Sequence, residues 1–110
     1  MRLLLVGMSH KSAPIEIRER YAIEEVGPIL SKLTNQDEID EAVAISTCNR
    51  VEVIVSTRRV EAARHTLLRC FHSDLGGGIS LPDGSHLDDH IYEYSDQDAV
   101  THVFRVASSI

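Results

Sequence analysis

Two alternating stretches lie closer together in this chain than any crossover connection allows, and that constrains its fold more than any other feature. Val43 and Ile45 alternate with Ala42 and Ala44, and Val51, Val53 and Val55 alternate with Glu52, Ile54 and Ser56, the period-two pattern of strands. Only a few residues separate them, Cys48 and Asn49 with Arg50 at the edge. A parallel pair would need a connection of about a dozen residues or more. The two stretches are therefore read as an antiparallel hairpin with its chemistry-bearing residues at the tip.

The remaining patterns fit around that hairpin. The apolar segment from Arg2 to Met8, bounded by Gly7 and the polar Ser9-His10-Lys11-Ser12 stretch, reads as a short buried strand. Ile15, Arg18, Glu19 and Ala22 allow one or two helical turns after Pro14. Val26, Ile29, Leu30 and Leu33 then follow the spacing of one buried helix face, with Pro28 tolerable in the first turn. Val60, Ala63, Leu67 and Phe71 predict a further helix that ends near Asp74. Gly76-Gly77-Gly78 and Pro82-Asp83-Gly84 mark turns, with Ile79 and Leu81 able to add a short edge strand. Ile91 to Tyr94 reads as a last strand. Ser95, with Asp98 three residues on, gives a capping-box-like start to a final helix whose stripe is Val100, Val103, Phe104, Ala107 and Ile110.

The order matches an α+β, ferredoxin-like βαββαβ sandwich, an antiparallel sheet with helices on one face, plus a C-terminal helix. The 110 residues, 43% hydrophobic and 25% charged, suffice for one core without staples and are too few for two domains. The last stripe reaches Ile110 without Gly, Asn, Pro or a basic last turn, so the chain is expected to be truncated from a longer one.

Several function classes fall away. The longest apolar run, Leu3 to Val6, is far short of the roughly 20 residues of a membrane span. Two cysteines, Cys48 and Cys70, are too few for a disulfide scaffold or zinc ribbon, which favours a reducing cytoplasm. Eleven Lys and Arg against 17 Asp and Glu, net −6, argue against a dedicated nucleic-acid module. Basic residues nonetheless gather at Lys11, Arg18 and Arg20 and at Arg50, Arg58, Arg59, Arg64 and Arg69, which leaves room for a local basic face. No phosphate-binding glycine motif occurs, so no cofactor-binding residue is assigned. His86 and His90 beside Asp88 and Asp89 lack a metal-site pattern, and no metal ligand is assigned.

The sharpest local feature is Ser46-Thr47-Cys48-Asn49-Arg50. A cysteine at a hairpin tip is accessible, and a neighbouring guanidinium favours thiolate, the nucleophilic form. Thr47 and Asn49 add hydroxyl and amide groups, and Arg50 offers a planar fork for a carboxylate or phosphate. The plainer reading makes Cys48 a turn residue and Arg50 a solvated charge. Cys70, on a helical apolar face, is expected to be an inert core thiol. His102, in the second turn of the last helix, suits an acid, base or orienting group, or a half-buried edge residue.

Taken together, Gly7-Met8-Ser9-His10-Lys11-Ser12-Ala13-Pro14, Ile17-Arg18-Glu19-Arg20, Ser46-Thr47-Cys48-Asn49-Arg50-Val51-Glu52 and His102-Val103-Phe104-Arg105-Val106-Ala107-Ser108 resemble the glutamyl-tRNA reductase family. Only Phe71 to His90 matches poorly. The resemblance implies NADPH-dependent reduction of glutamyl-tRNA to glutamate-1-semialdehyde through a cysteine thioester, the first step of tetrapyrrole (porphyrin) biosynthesis. Residues 1–110 would be the N-terminal catalytic domain, with the NADPH-binding and dimerisation domains absent. It places the nucleophile on Cys48, substrate binding on Thr47, Cys48, Asn49 and Arg50, and an activity-linked histidine on His102. Implied partners are glutamyl-tRNA, a second subunit of a homodimer and glutamate-1-semialdehyde aminotransferase, in the cytoplasm. The rivals are a non-catalytic ferredoxin-like module gripping an anion through Asn49 and Arg50, and a small acyl-group hydrolase.

Overall fold

The structure is a computed structural model that describes residues 1–75 and 86–108. Among these residues four strands, β1 (Arg2–Ser9), β2 (Glu41–Ser46), β3 (Arg50–Thr57) and β4 (Tyr92–Ser95), form one sheet in the order β2-β3-β1-β4. Every neighbouring pair is antiparallel. This is the expected ferredoxin-like arrangement, and β2 and β3 form the hairpin that their spacing demands. Helices α1 (Ile15–Tyr21) and α2 (Val26–Thr34) connect β1 to β2. Helix α3 (Val60–Arg69) follows β3 and continues into a π-helical turn, Cys70–Leu75, and α4 (Asp96–Ser108) follows β4. The glycine-rich turns and the possible edge strand at Ile79 and Leu81 lie outside the described residues.

Alternation along the central strands divides the sheet into two faces. Leu4, Val6 and Met8 of β1 join Val51, Val53 and Val55 of β3 in a core closed by Ile17, Tyr21, Leu33, Ala63, Leu67 and Phe71 from the three connecting helices. The other face carries Leu3, Leu5 and Gly7 opposite Ser56, Ile54 and Glu52, and there α4 packs. The extra helix thus covers the side that α1 to α3 leave bare.

Two helix faces differ from their sequence pattern. In α2 only Leu33 is fully buried and Val26 is exposed. This helix lies over the edge strand β2, whose inward residues are the small Ala42 and Ala44. In α4 the buried residue is Ala99, and Phe104 is 71% exposed. Phe104 lines an apolar groove of about 310 Å³ with Leu3, Val43, Ile45, Ile54, Ala99, Val100 and Val103, because α4 sits over β1 and β4 and leaves Val43 of β2 exposed.

The start of α4 also differs from expectation. Ser95 is the last residue of β4, opposite Leu4. The engaged acid is Asp96, at φ 50°, a left-handed conformation that Asp tolerates better than most residues. Its carboxylate accepts the Leu3 N–H at 3.1 Å and the Arg2 Nε–H at 2.8 Å. These bonds bring the helix back across β1.

Candidate active site

The hairpin tip is built by its own polar groups. The Thr47 N–H donates to the Arg50 carbonyl at 2.8 Å, and the Asn49 N–H donates to Thr47 Oγ1 at 3.1 Å. Thr47 therefore shapes the turn that presents Cys48, which is exposed. The Asn49 carbonyl accepts the His10 N–H at 2.8 Å, tying the tip to the loop after β1. That loop is held by Ser9 and Ser12: the Ser9 N–H donates to Ser12 Oγ at 2.9 Å, and the Ser12 N–H donates to the Ser9 carbonyl at 3.0 Å.

Behind the tip lies a cavity of about 570 Å³ lined by Ser9, His10, Lys11, Ser12, Arg50, Tyr92, Tyr94, His102, Arg105 and Val106. It opens on the α4 face, where β3, β1 and β4 present Arg50, Ser9 and Tyr92. A chain of net charge −6 thus gathers Lys11, Arg50 and Arg105 around one cavity, a setting that favours anionic ligands. The basic residues anticipated beside them do not share it. Arg58, Arg59 and Arg64 pair instead with Asp40, Glu38 and Glu93.

Behind three of the lining residues, Arg50, Tyr92 and His102, lies Glu52, with no solvent exposure. Its Oε2 accepts the Tyr92 hydroxyl, lies 2.5 Å from His102 Nε2 and lies 3.4 Å from Arg50 Nη1. Burial first, and then the Glu52 carboxylate, push the Tyr92 hydroxyl far above its ordinary value of 10.0, so Tyr92 stays a donor. The His102 ring stacks on Tyr94 with centroids 4.6 Å apart and tilts against Tyr92 at 5.3 Å. Glycine is required beneath Glu52: a Cβ on Gly7 would lie 2.7 Å from both Glu52 Cγ and the Val51 carbonyl oxygen.

Of the residues anticipated from sequence, Arg50 and His102 meet through Glu52. Thr47, Cys48 and Asn49 sit together at the exposed tip, and no hydrogen bond joins Cys48 to His102. Cys70, the first residue of the turn that continues α3, is buried, and burial pushes its thiol up to about 11. Sequence reasoning gave no task to Glu52, Tyr92 or Tyr94. Alternation places Glu52 on the face opposite Val51 and Val53, where an acid reads as solvent-facing, and an ionised side chain needs partners there only once α4 covers it. Among the described residues no group of three or more His, Cys, Asp or Glu side chains could hold a metal ion. His72 pairs with Asp88 at 3.5 Å, and His90 Nδ1 lies 3.2 Å from the Ser12 carbonyl.

The family described as "Glutamyl-tRNAGlu reductase, N-terminal domain" matches residues 6–110. "Glutamyl-tRNA reductase 2" of Anaeromyxobacter dehalogenans is 41% identical over 99% of this chain and 22% of its own length. "Glutamyl-tRNA reductase" of Geotalea uraniireducens is 42% identical over all of this chain and 25% of its own length. The solved structure of glutamyl-tRNA reductase from Methanopyrus kandleri superposes with a TM-score of 0.65 at 30% identity, covering 96% of this chain and 22% of that one. The chain thus spans about a quarter of the length of the curated relatives it matches. With the family's N-terminal-domain description matching residues 6–110, relatives about 40% identical along the chain and a shared fold, it belongs to the glutamyl-tRNA reductase family and corresponds to the family's N-terminal domain.

Proposed function

We propose that this chain carries the acyl-transfer site for NADPH-dependent reduction of glutamyl-tRNA to glutamate-1-semialdehyde, the entry step of tetrapyrrole biosynthesis. The observation that carries the reading is the exposed Cys48 at a tip bonded to the rim of a basic cavity, within a chain similar to these reductases along its length. Arg50 holds the side-chain carboxylate of the glutamyl group through its planar fork, and Thr47 and Asn49 hold the α-amino end. Cys48 Sγ gives its proton to His102 and attacks the ester carbonyl. The sulfur–carbon bond forms, the bond from carbon to the ribose oxygen breaks, and that oxygen takes the proton from His102. The product is a thioester, whose carbonyl accepts hydride more readily than the ester.

The reductant belongs elsewhere. Among the described residues the sheet is wholly antiparallel, whereas dinucleotides bind at the switch point of parallel strands beside a glycine-rich strand-to-helix turn. NADPH, when bound to other parts of the protein, supplies the hydride. The remaining domains would also supply the homodimer contact, more tRNA-binding surface and a docking face for the aminotransferase that consumes the aldehyde. Among the described residues no helix is long and apolar enough to cross a membrane, and a cytoplasmic enzyme suits this role.

The test is acylation. Glutamyl-tRNA labelled in the glutamyl group should transfer label to the chain as a base-labile thioester, abolished by Cys48→Ser and kept by Cys70→Ser. Label that survives Cys48→Ser overturns the reading. A second reading, an anion-binding module without catalysis, is favoured by the absence of a hydrogen bond between Cys48 and His102. In that case Cys48→Ser leaves ligand binding intact and no thioester forms with the wild-type chain.

A further inference from the structure

Glu52 sits without exposure in the middle of a central strand, and acyl transfer as described gives it no task. An ionised carboxylate there forfeits its hydration, and a buried ion pair is frequently no more stabilising than an apolar side chain of the same volume. Packing alone therefore does not account for it. Its contacts do. Oε2 receives the Tyr92 hydroxyl and faces His102 Nε2 at 2.5 Å, while Oε1 has no partner at all. The space it occupies exists because the residue opposite is Gly7.

We propose that Glu52 is a positioning residue for His102, an inference that rests on reading the cavity as the acyl-transfer site. By accepting from Nε2, the carboxylate selects the ring tautomer protonated there and leaves the lone pair on Nδ1. Tyr94, stacked at 25° to the imidazole, fixes the ring plane. Nδ1 is then the nitrogen that takes the thiol proton and returns it to the ribose oxygen, and the carboxylate stabilises the imidazolium in between, as buried acids do behind other catalytic histidines. Glu52 touches neither thiol nor ester and acts through His102.

The test uses the chain as it stands, with the His102 ring nitrogens observed by ¹H–¹⁵N NMR and assigned by His102→Gln. The wild type should show a neutral ring protonated on Nε2. Glu52→Leu, which fills the space without an acceptor, should give mixed tautomers and acylate Cys48 ~100-fold more slowly, with the half-saturating glutamyl-tRNA concentration unchanged. Glu52→Gln, which keeps shape and an acceptor but no charge, should be ~10-fold slower. A wild-type tautomer and acylation rate in Glu52→Leu overturn the proposal, and if that variant fails to fold, a wild-type rate in Glu52→Gln does so. Failure of the underlying reading looks different: label transfer is then absent from the wild type or no longer depends on Cys48, while the ring spectra, which need no substrate, still report on Glu52.

Discussion

His102 of α4 places its Nε2 2.5 Å from Oε2 of Glu52 in β3, across 50 residues of sequence. The contact closes a cavity with two elements that sequence alone does not bring together, and it depends on the backbone of a third, at Gly7 of β1. Gly7→Ala should therefore weaken the fold. The new Cβ would meet backbone as well as the Glu52 side chain at 2.7 Å, and overpacking of this kind costs about 1–3 kcal/mol. Gly27→Ala is the control: it lies in the first turn of α2 with nothing within 4 Å, and loss of backbone freedom in the unfolded chain should stabilise by about 0.4–1 kcal/mol. Urea unfolding of both variants checks the pair.

The two thiols should differ in reactivity. Cys48 is exposed, and Cys70 is buried with its thiol raised to about 11. At neutral pH iodoacetamide should modify Cys48 at least ~100-fold faster, Cys70 reacting only as the fold opens. Mass spectrometry of the folded chain reads the ratio directly. Equal rates would contradict the burial of Cys70.

The same shift predicts an alkaline loss of stability. Because the folded thiol titrates near 11 and the ordinary one at 9.0, the folded chain holds its proton longer. Its contribution is complete below pH 9 and fades as pH rises towards 11, by about 1–2 kcal/mol. Tyr92, also raised, adds to the loss above pH 10. On the acid side, Glu38, bonded by Thr66, and Asp96, bonded by Arg2, titrate below their ordinary 4.5 and 3.8. Their contribution is present above those values and disappears as pH falls below them. Melting temperatures from pH 2 to 11 should show both limbs, the alkaline one shallower in Cys70→Ala.

Two phenylalanines test the division of the sheet into faces. Phe71 has no exposure and stacks with Tyr21, so Phe71→Ala should cost about 3–5 kcal/mol. Phe104 is 71% exposed, and Phe104→Ser should change stability by no more than about 0.5 kcal/mol. A large loss in Phe104→Ser would mean that α4 presents a different side to the sheet.

Arg50→Lys should separate binding from chemistry. Lysine keeps the charge and loses the fork, so the concentration of glutamyl-tRNA for half-maximal acylation should rise ~10-fold or more while the limiting rate falls less. A variant unchanged in both would remove Arg50 from the site.

Sequence by itself determined much of this protein. Period-two alternation placed β2 and β3, the shortness of Thr47-Cys48-Asn49 forced their antiparallel pairing, and the apolar run of β1 marked a strand buried on both faces. The same hairpin put Cys48 at an exposed tip, because a turn that short leaves nothing to cover it. Periodicity tells which side of an element is apolar, and it does not tell which element covers that side. For that reason the stripe of α4 was legible while its true contact, Ala99 inward and Phe104 outward on the face opposite α1 to α3, was not. Glu52 shows the same limit more sharply. A carboxylate between two valines reads as the solvated half of a strand until α4 is folded over it, and only the tertiary structure brings His102 and Tyr92 to the oxygen that Arg50, two residues along the same strand face, already approaches. Electrostatic partners act through a few ångströms of space, and the order of residues along a chain does not record that distance.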